Sequence, residues 1–150
     1  MSIPVALDER PRLPVHQRAL PLAAVAAARV LAGLRPVRLR AVLEWVRRGA
    51  VPATVEQAAA ARRAVVAVSL RCAGQSCLQR SIAAALCCRA RGCWPTWSTG
   101  VRTNPFAAHA WIEVDGQPVG EPHPADHYRR LVTVPPLAAP RPRPGAGEPG

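Results

Sequence analysis

The hydrophobic period of this chain changes once, near Gly92, and that change restricts the fold more than any other feature of the sequence. From Leu20 to Leu34 an Ala-rich run suits a helix, with Gly33 and then Pro36 to end it. Leu39, Val42, Leu43 and Val46 recur at helical spacing between Val37 and Arg48, and Gly49 stops this second helix. Thr54 is a suitable N-cap for a third helix reaching to about Leu70, with Glu56 and Gln57 in its first turn. A fourth is expected from about Ser76 to Arg91, where Leu78, Ile82, Ala85 and Leu86 share one face and Gly92 closes the run. Beyond a loop with Trp and Pro the pattern becomes that of strands, over 97–102 and 107–114, and Asp115-Gly116 is a hairpin turn. Val119 falls on the returning strand, which Pro118 confines to an edge or a bulge. Helices first and strands second predict an α+β domain.

The ends of the chain differ in character. Its 17 prolines gather at both of them. Residues 1–18 are expected to form an extended arm, 19–134 the folded domain, and 135–150, PPLAAPRPRPGAGEPG, a disordered tail. A hydrophobic fraction of 49% in 150 residues allows one modest core, with Trp45, Trp94, Trp97 and Trp111 as its large pieces.

The formal charge is +11, and all 20 basic residues are Arg. They are scattered as singles and pairs with few aromatics between them, which argues against a nucleic-acid surface and leaves an acidic peptide or protein partner open. The apolar stretch Ala19–Leu34 is interrupted by Arg29 and falls short of the roughly 20 residues of a membrane span. Asp8 and Glu9 lie where an export signal would be basic. A cytoplasmic chain with reduced thiols is therefore expected, and the odd count of five Cys agrees. Cys72, Cys87, Cys88 and Cys93, with His123 and His127, lack paired metal-ligand spacing, so no metal and no other cofactor is expected.

Cys77 is placed in the first turn of the fourth helix, behind a loop containing Gly74. A helix N-terminus lowers a thiol pKa and offers N–H groups to an oxyanion. His109 follows on a strand that can cross that helix end, where a neutral imidazole would take the thiol proton and return it to a leaving amine. Glu121 is the best placed group to orient the imidazole, with Asp115 and Asp126 as weaker alternatives. A strict two-residue loop at Asp115-Gly116 would pair Glu121 with Ala110, on the wrong face; a three-residue loop or a bulge would bring it to His109's face. Glu113 shares that face but lies roughly 13 Å along the strand, out of reach. Spacing alone leaves a second reading open, in which Cys77 is a small buried residue and His109 an ordinary strand residue.

Cys77-Leu78-Gln79-Arg80-Ser81-Ile82, Gly100-Val101-Arg102, the block Pro105 to Gly116 containing His109-Ala110-Trp111, and Pro118-Val119 together are specific. They closely resemble the leader-peptidase protein of lasso-peptide biosynthesis, a family of the transglutaminase-like branch of the papain-like cysteine proteases. The close match spans about residues 72–122, with a looser helical match from about residue 35. The resemblance implies a transglutaminase-like fold, and Cys77 as nucleophile with His109 as base. It places Glu121 at a third position where the family usually has Asp. It also implies removal of the leader from a ribosomally made precursor peptide, which exposes the amine of the core. A separate small leader-binding protein and an asparagine-synthetase-like enzyme that closes the macrolactam are the implied partners.

Around these residues, Trp111 can shield the imidazole, line the substrate groove or simply pack in the core. Gln75, or the backbone N–H of Cys77, can serve an oxyanion hole. Arg80, one turn after Cys77, can face the thiolate, a carboxylate or solvent. Two further function classes remain open: a transglutaminase-like acyl transferase, and a non-catalytic basic scaffold for an acidic leader or partner.

Overall fold

In a computed structural model, residues 12–69, 72 and 76–137 are described. A short 3-10 turn at Val15–Gln17 leads into α1 (Ala19–Ala32), then α2 (Pro36–Val46), β1 (Val51–Pro52), α3 (Val55–Val68) and α4 (Cys77–Ala90). The second half holds β2 (Cys93–Trp94), β3 (Thr96–Thr103), β4 (Phe106–Val114), β5 (Gln117–Pro118) and β6 (Arg129–Val134). The change of period at Gly92 is thus the boundary between a helical half and a sheet half, and the domain is α+β. The arm foreseen over 1–18 is described from residue 12 and the tail only as far as residue 137; the remainder of both lies outside the described residues.

Local chemistry explains the helix ends. Pro36 occupies the first turn of α2, where its missing N–H costs nothing. Thr54 and Gln57 form a reciprocal capping box at α3: Thr54 Oγ1 accepts from the Gln57 amide at 3.2 Å, and Gln57 Oε1 from the Thr54 amide at 2.9 Å. Gly92, at φ 85°, takes the left-handed turn that stops α4.

Helix α4 is the centre of the domain. Ile82, Ala83, Ala84 and Ala85 are fully buried, and the run of small residues lets α1, α3 and the sheet approach it closely. The alanine content of α1 and α3 has the same use, because Ala28, Ala58 and Ala61 are fully buried where the helices meet. Trp97 lies in the core and donates its indole N–H to Ser81 Oγ of α4 at 3.0 Å; Trp94 donates to the Val134 carbonyl at 3.1 Å. Trp45, expected in the core, is instead two-thirds exposed on α2.

The main sheet is antiparallel in the order β5-β4-β3-β6, and β1 and β2 form a separate parallel pair. Strand β6 was not foreseen; its six residues, RRLVTV, pair with β3 through a register shift between Thr99 and Gly100. At Gly100 a side chain would not fit, because a Cβ there would lie 2.6 Å from the Arg129 carbonyl oxygen and 2.9 Å from the Trp111 ring. Pro118 does sit on an edge strand, as its missing N–H requires.

Candidate active site

Three elements converge on the site: the start of α4, the middle of β4, and the segment after β5. Cys77 is the first residue of α4 and is half-buried. Ser76 precedes it without capping the helix through its side chain, so its hydroxyl does not take up the N–H groups of the first turn. His109 is on β4, paired across the sheet with Gly100. Its Nε2 lies 2.8 Å from Glu121 Oε2, and its ring is also hydrogen-bonded to the Cys77 thiol, which Nδ1 is left to serve. The backbone of Ala110 gives Cys77 a further hydrogen bond. Glu121, His109 and Cys77 therefore form one continuous line.

The way Glu121 reaches the imidazole differs from the expected one. The Asp115-Gly116 loop has two residues, both at positive φ (51° and 77°), and Val114 pairs strictly with Gln117. The three-residue loop is absent. Regular pairing ends after Pro118, with one further bond from the Val119 amide to the Ile112 carbonyl at 2.9 Å. Gly120 then turns left-handed at φ 67°, and this single residue swings Glu121 to His109's side. The irregularity that the face argument demanded exists, but it lies at the strand's end. Asp115 is taken up by the turn and Asp126 is exposed; of the three acids considered, Glu121 is the one bonded to the imidazole.

Glu121 is itself held. Its Oε1 faces Arg80 Nη2 of α4 at 3.7 Å and Arg62 Nε of α3 at 3.9 Å, and its side chain is 7% exposed. Arg80 is thus a carboxylate's partner rather than a solvated helix residue, and it also donates to the Cys72 carbonyl at 3.2 Å. Arg62 was not singled out from sequence; it lies on α3, far upstream of Glu121 in the chain, and no spacing rule connects the two. Gly120 fits beneath it, where a Cβ would lie 2.9 Å from Arg62 Cδ.

The electrostatics follow from these contacts. Burial pushes the Cys77 thiol up, but the hydrogen bonds from His109 and the Ala110 backbone, with the charges of His109 and Arg80, outweigh it and hold the thiol below its ordinary value. Burial pushes His109 down, yet its bonds to Cys77 and Glu121 and their charges raise it to about 9. The two shifts describe one event, proton transfer from sulfur to imidazole, and favour the thiolate–imidazolium pair. Burial pushes Cys87 the other way, to about 11, and burial together with Cys93 and Cys87 raises Cys88 further. Cys72, Cys87, Cys88 and Cys93 are all buried thiols.

Trp111 is 2% exposed and stacks beside His109, ring centres 5.9 Å apart, so core packing and contact with the imidazole coincide in it. Its indole N–H donates at 2.8 Å to Glu113, which also takes Arg130 Nη2 at 2.8 Å; Glu113 braces the sheet away from the imidazole. Tyr128, unremarked in the sequence, stacks on His109 at 5.1 Å, and its ring centre is 5.9 Å from that of Trp111, so the three rings form one cluster. Its only signal was its position just before β6, itself unforeseen. Gln75 and Gly74 lie outside the described residues. Among the described residues no three His, Cys, Asp or Glu side chains gather as a metal site, and no helix is long and apolar enough to cross a membrane.

Comparison with curated proteins and with solved structures returned no match. A family model of the transglutaminase-like superfamily matches residues 21–133, nearly all of the folded domain with Cys77, His109 and Glu121 inside it, and the chain belongs to that superfamily.

Proposed function

We propose that this chain is a cysteine peptidase that removes the leader from a ribosomally made lasso-peptide precursor. The observation that carries the peptidase reading is the line Glu121–His109–Cys77, with the thiol in the first turn of a helix. The leader-peptidase reading rests on the motif blocks around that line, from Cys77-Leu78-Gln79-Arg80 to Pro118-Val119. The Cys77 thiolate attacks the carbonyl between leader and core, and the first-turn N–H groups of α4 receive the oxyanion. Collapse breaks the C–N bond, and the His109 imidazolium gives its proton to the departing amine, the new N-terminus of the core. His109, now neutral, deprotonates a water that attacks the thioester. Cys77 is released with the leader's new carboxylate, and Glu121 keeps Nδ1 aimed at sulfur throughout.

A separate small leader-binding protein would present the precursor, and an asparagine-synthetase-like enzyme would use the freed amine. Five unpaired thiols fit the reducing cytoplasm proposed for the pathway. The test is cleavage of a precursor, with its leader-binding protein present, by wild-type protein and by Cys77→Ala. Loss of cleavage with an unchanged thermal melt is expected; cleavage by the variant overturns the mechanism. Since an acyl-enzyme can also be captured by an amine, product masses decide between the two fates: a free leader means hydrolysis, and a new amide bond means transfer.

A further inference from the structure

Side chains on β4 and β6 are kept apart by β3, which lies between them in the sheet. A strand spacing of about 4.8 Å puts the two backbones about 10 Å apart. At Gly100 their side chains nevertheless meet. This residue pairs with His109 on one side and Arg130 on the other, and it puts no side chain between them. A Cβ there would lie 2.9 Å from the Trp111 ring. Across the gap the Tyr128 ring, two residues before Arg130, reaches His109 at 5.1 Å and Trp111 at 5.9 Å.

The Tyr128 and His109 rings are stacked with 30° between their planes, so the imidazole meets the face of the phenol and not its edge. His127 and His123 meet the same phenol edge-on, at 4.9 and 6.3 Å, which fixes its plane. The cluster already receives cations: the Arg102 guanidinium lies 5.9 Å from the Tyr128 centre and that of Arg130 5.9 Å from the Trp111 centre.

The charges around His109 leave room for a contribution from the rings. Cys77 and Arg80 of α4 act on the site, and Glu121 binds the imidazole with Arg62 of α3 behind it. Each carboxylate nearby is shared with arginine, Glu121 with Arg62 and Arg80, and Glu113 with Arg130. In the segment before β6, Asp126 is exposed and acts on His127, beside His123. An aromatic face differs from all of these. It attracts a cation within about 6 Å through its quadrupole, and it does not titrate with the acids.

We propose that Tyr128 is a positioning residue of the active site, whose ring face, with Trp111 beside it, stabilises the charged imidazole of His109. The proposal rests on the peptidase reading and adds a second support, besides Glu121, for the thiolate–imidazolium pair. Gly100 is then the residue that lets β6 contribute to catalysis across β3.

The test compares the full-length wild type with Tyr128→Phe, with Tyr128→Leu, and with protein carrying a trifluorinated phenylalanine in place of Tyr128. The fluorinated ring has nearly the shape of Phe but little negative charge on its face. Two readings are taken, Cys77 alkylation by iodoacetamide across pH and titration of the His109 ring by NMR. Tyr128→Phe should match wild type in both. The Leu variant and the fluorinated ring should each slow alkylation at neutral pH by about fivefold, the effect of one partly exposed cation–π contact. Both should also lower the midpoint at which His109 loses its proton, since the ring favours the protonated form. A fluorinated ring equal to Phe in both readings would mean that Tyr128 acts by bulk alone, and it overturns the proposal whether or not the Leu variant folds. The peptidase reading survives that result. A wild-type His109 that titrates in the ordinary histidine range overturns both this support and the ion pair on which the peptidase reading stands.

Discussion

Replacing Glu121 by Gln removes one charge and no volume, so it isolates what the carboxylate does for His109. The wild-type carboxylate has Oε2 at 2.8 Å from His109 Nε2 and Oε1 facing Arg80 at 3.7 Å and Arg62 at 3.9 Å. Both arginines are pure donors, so they will hold the amide oxygen of Gln, which turns its NH2 toward Nε2. A donor at Nε2 favours the neutral tautomer with its proton on Nδ1, the nitrogen that must accept from sulfur. A hydrogen bond between charged partners contributes about 1.5–3 kcal/mol, so the thiolate–imidazolium population should fall by about 10- to 150-fold. The assay is alkylation of Cys77 by iodoacetamide as a function of pH, read by peptide mass. The wild-type thiol should react below the ordinary thiol range, and the variant's profile should move up, with a reduced rate at neutral pH. Superimposable profiles would mean that Glu121 does not set the state of His109, and the orienting role would be lost.

Gly120→Ala should misdirect Glu121: the left-handed turn at φ 67° costs a Cβ about 1–2 kcal/mol, and the methyl would lie 2.9 Å from Arg62 Cδ. A lowered thermal midpoint together with slowed Cys77 alkylation is expected; an unaltered alkylation rate would refute the turn's role. Gly100→Ala should push β6 from β3, because its Cβ meets the Arg129 carbonyl oxygen at 2.6 Å, and a loss of about 1–3 kcal/mol in denaturant unfolding checks this. Cleavage and alkylation should diverge in alkali. His109 is held up at about 9, so above that pH it loses the proton that the leaving amine needs, and cleavage falls while alkylation of the thiolate does not. As pH falls through the lowered Cys77 pKa, both should fall together.

The helices were legible because each carries its own punctuation. Thr54 with Gln57 marks a start, Gly92 a stop, and Leu78, Ile82, Ala85 and Leu86 mark one apolar face of α4. The β3–β4–β5 hairpins were legible for the same reason, since alternation and Asp115-Gly116 are local signals. Strand β6 was hidden because its partner, β3, lies far upstream, with Trp97 paired to Val134, and its register is set by the shift at Gly100, which no local pattern announces. Cys77 and His109 could be named from sequence through the motif blocks around them. Their electrostatic support could not, because Arg62, Tyr128 and Arg102 come from separate elements. Trp45 failed for a different reason: a large aromatic reads as core by its size alone, yet it is 66% exposed on α2.

Glu121 stands where the resembling family usually has Asp, and the structure gives a reason why the shorter acid should serve poorly here. The carboxylate spans two demands, the arginines through Oε1 and the imidazole through Oε2. Asp would retract it by one methylene toward the backbone, whose course here is set by the left-handed turn at Gly120, φ 67°. Glu121→Asp should therefore keep its ion pairs and lose its direct bond to Nε2. The charge remains nearby, so His109 should stay more basic than in the Gln variant, whose amide also fixes the wrong tautomer. Alkylation at neutral pH should fall by about fivefold, the effect of roughly 1 kcal/mol, and lie between wild type and Glu121→Gln. A variant as reactive as wild type would show that the loop at Gly120 yields, and the fit of Glu to this site would then be incidental. One less reactive than Glu121→Gln would show that geometry, rather than charge, governs the imidazole.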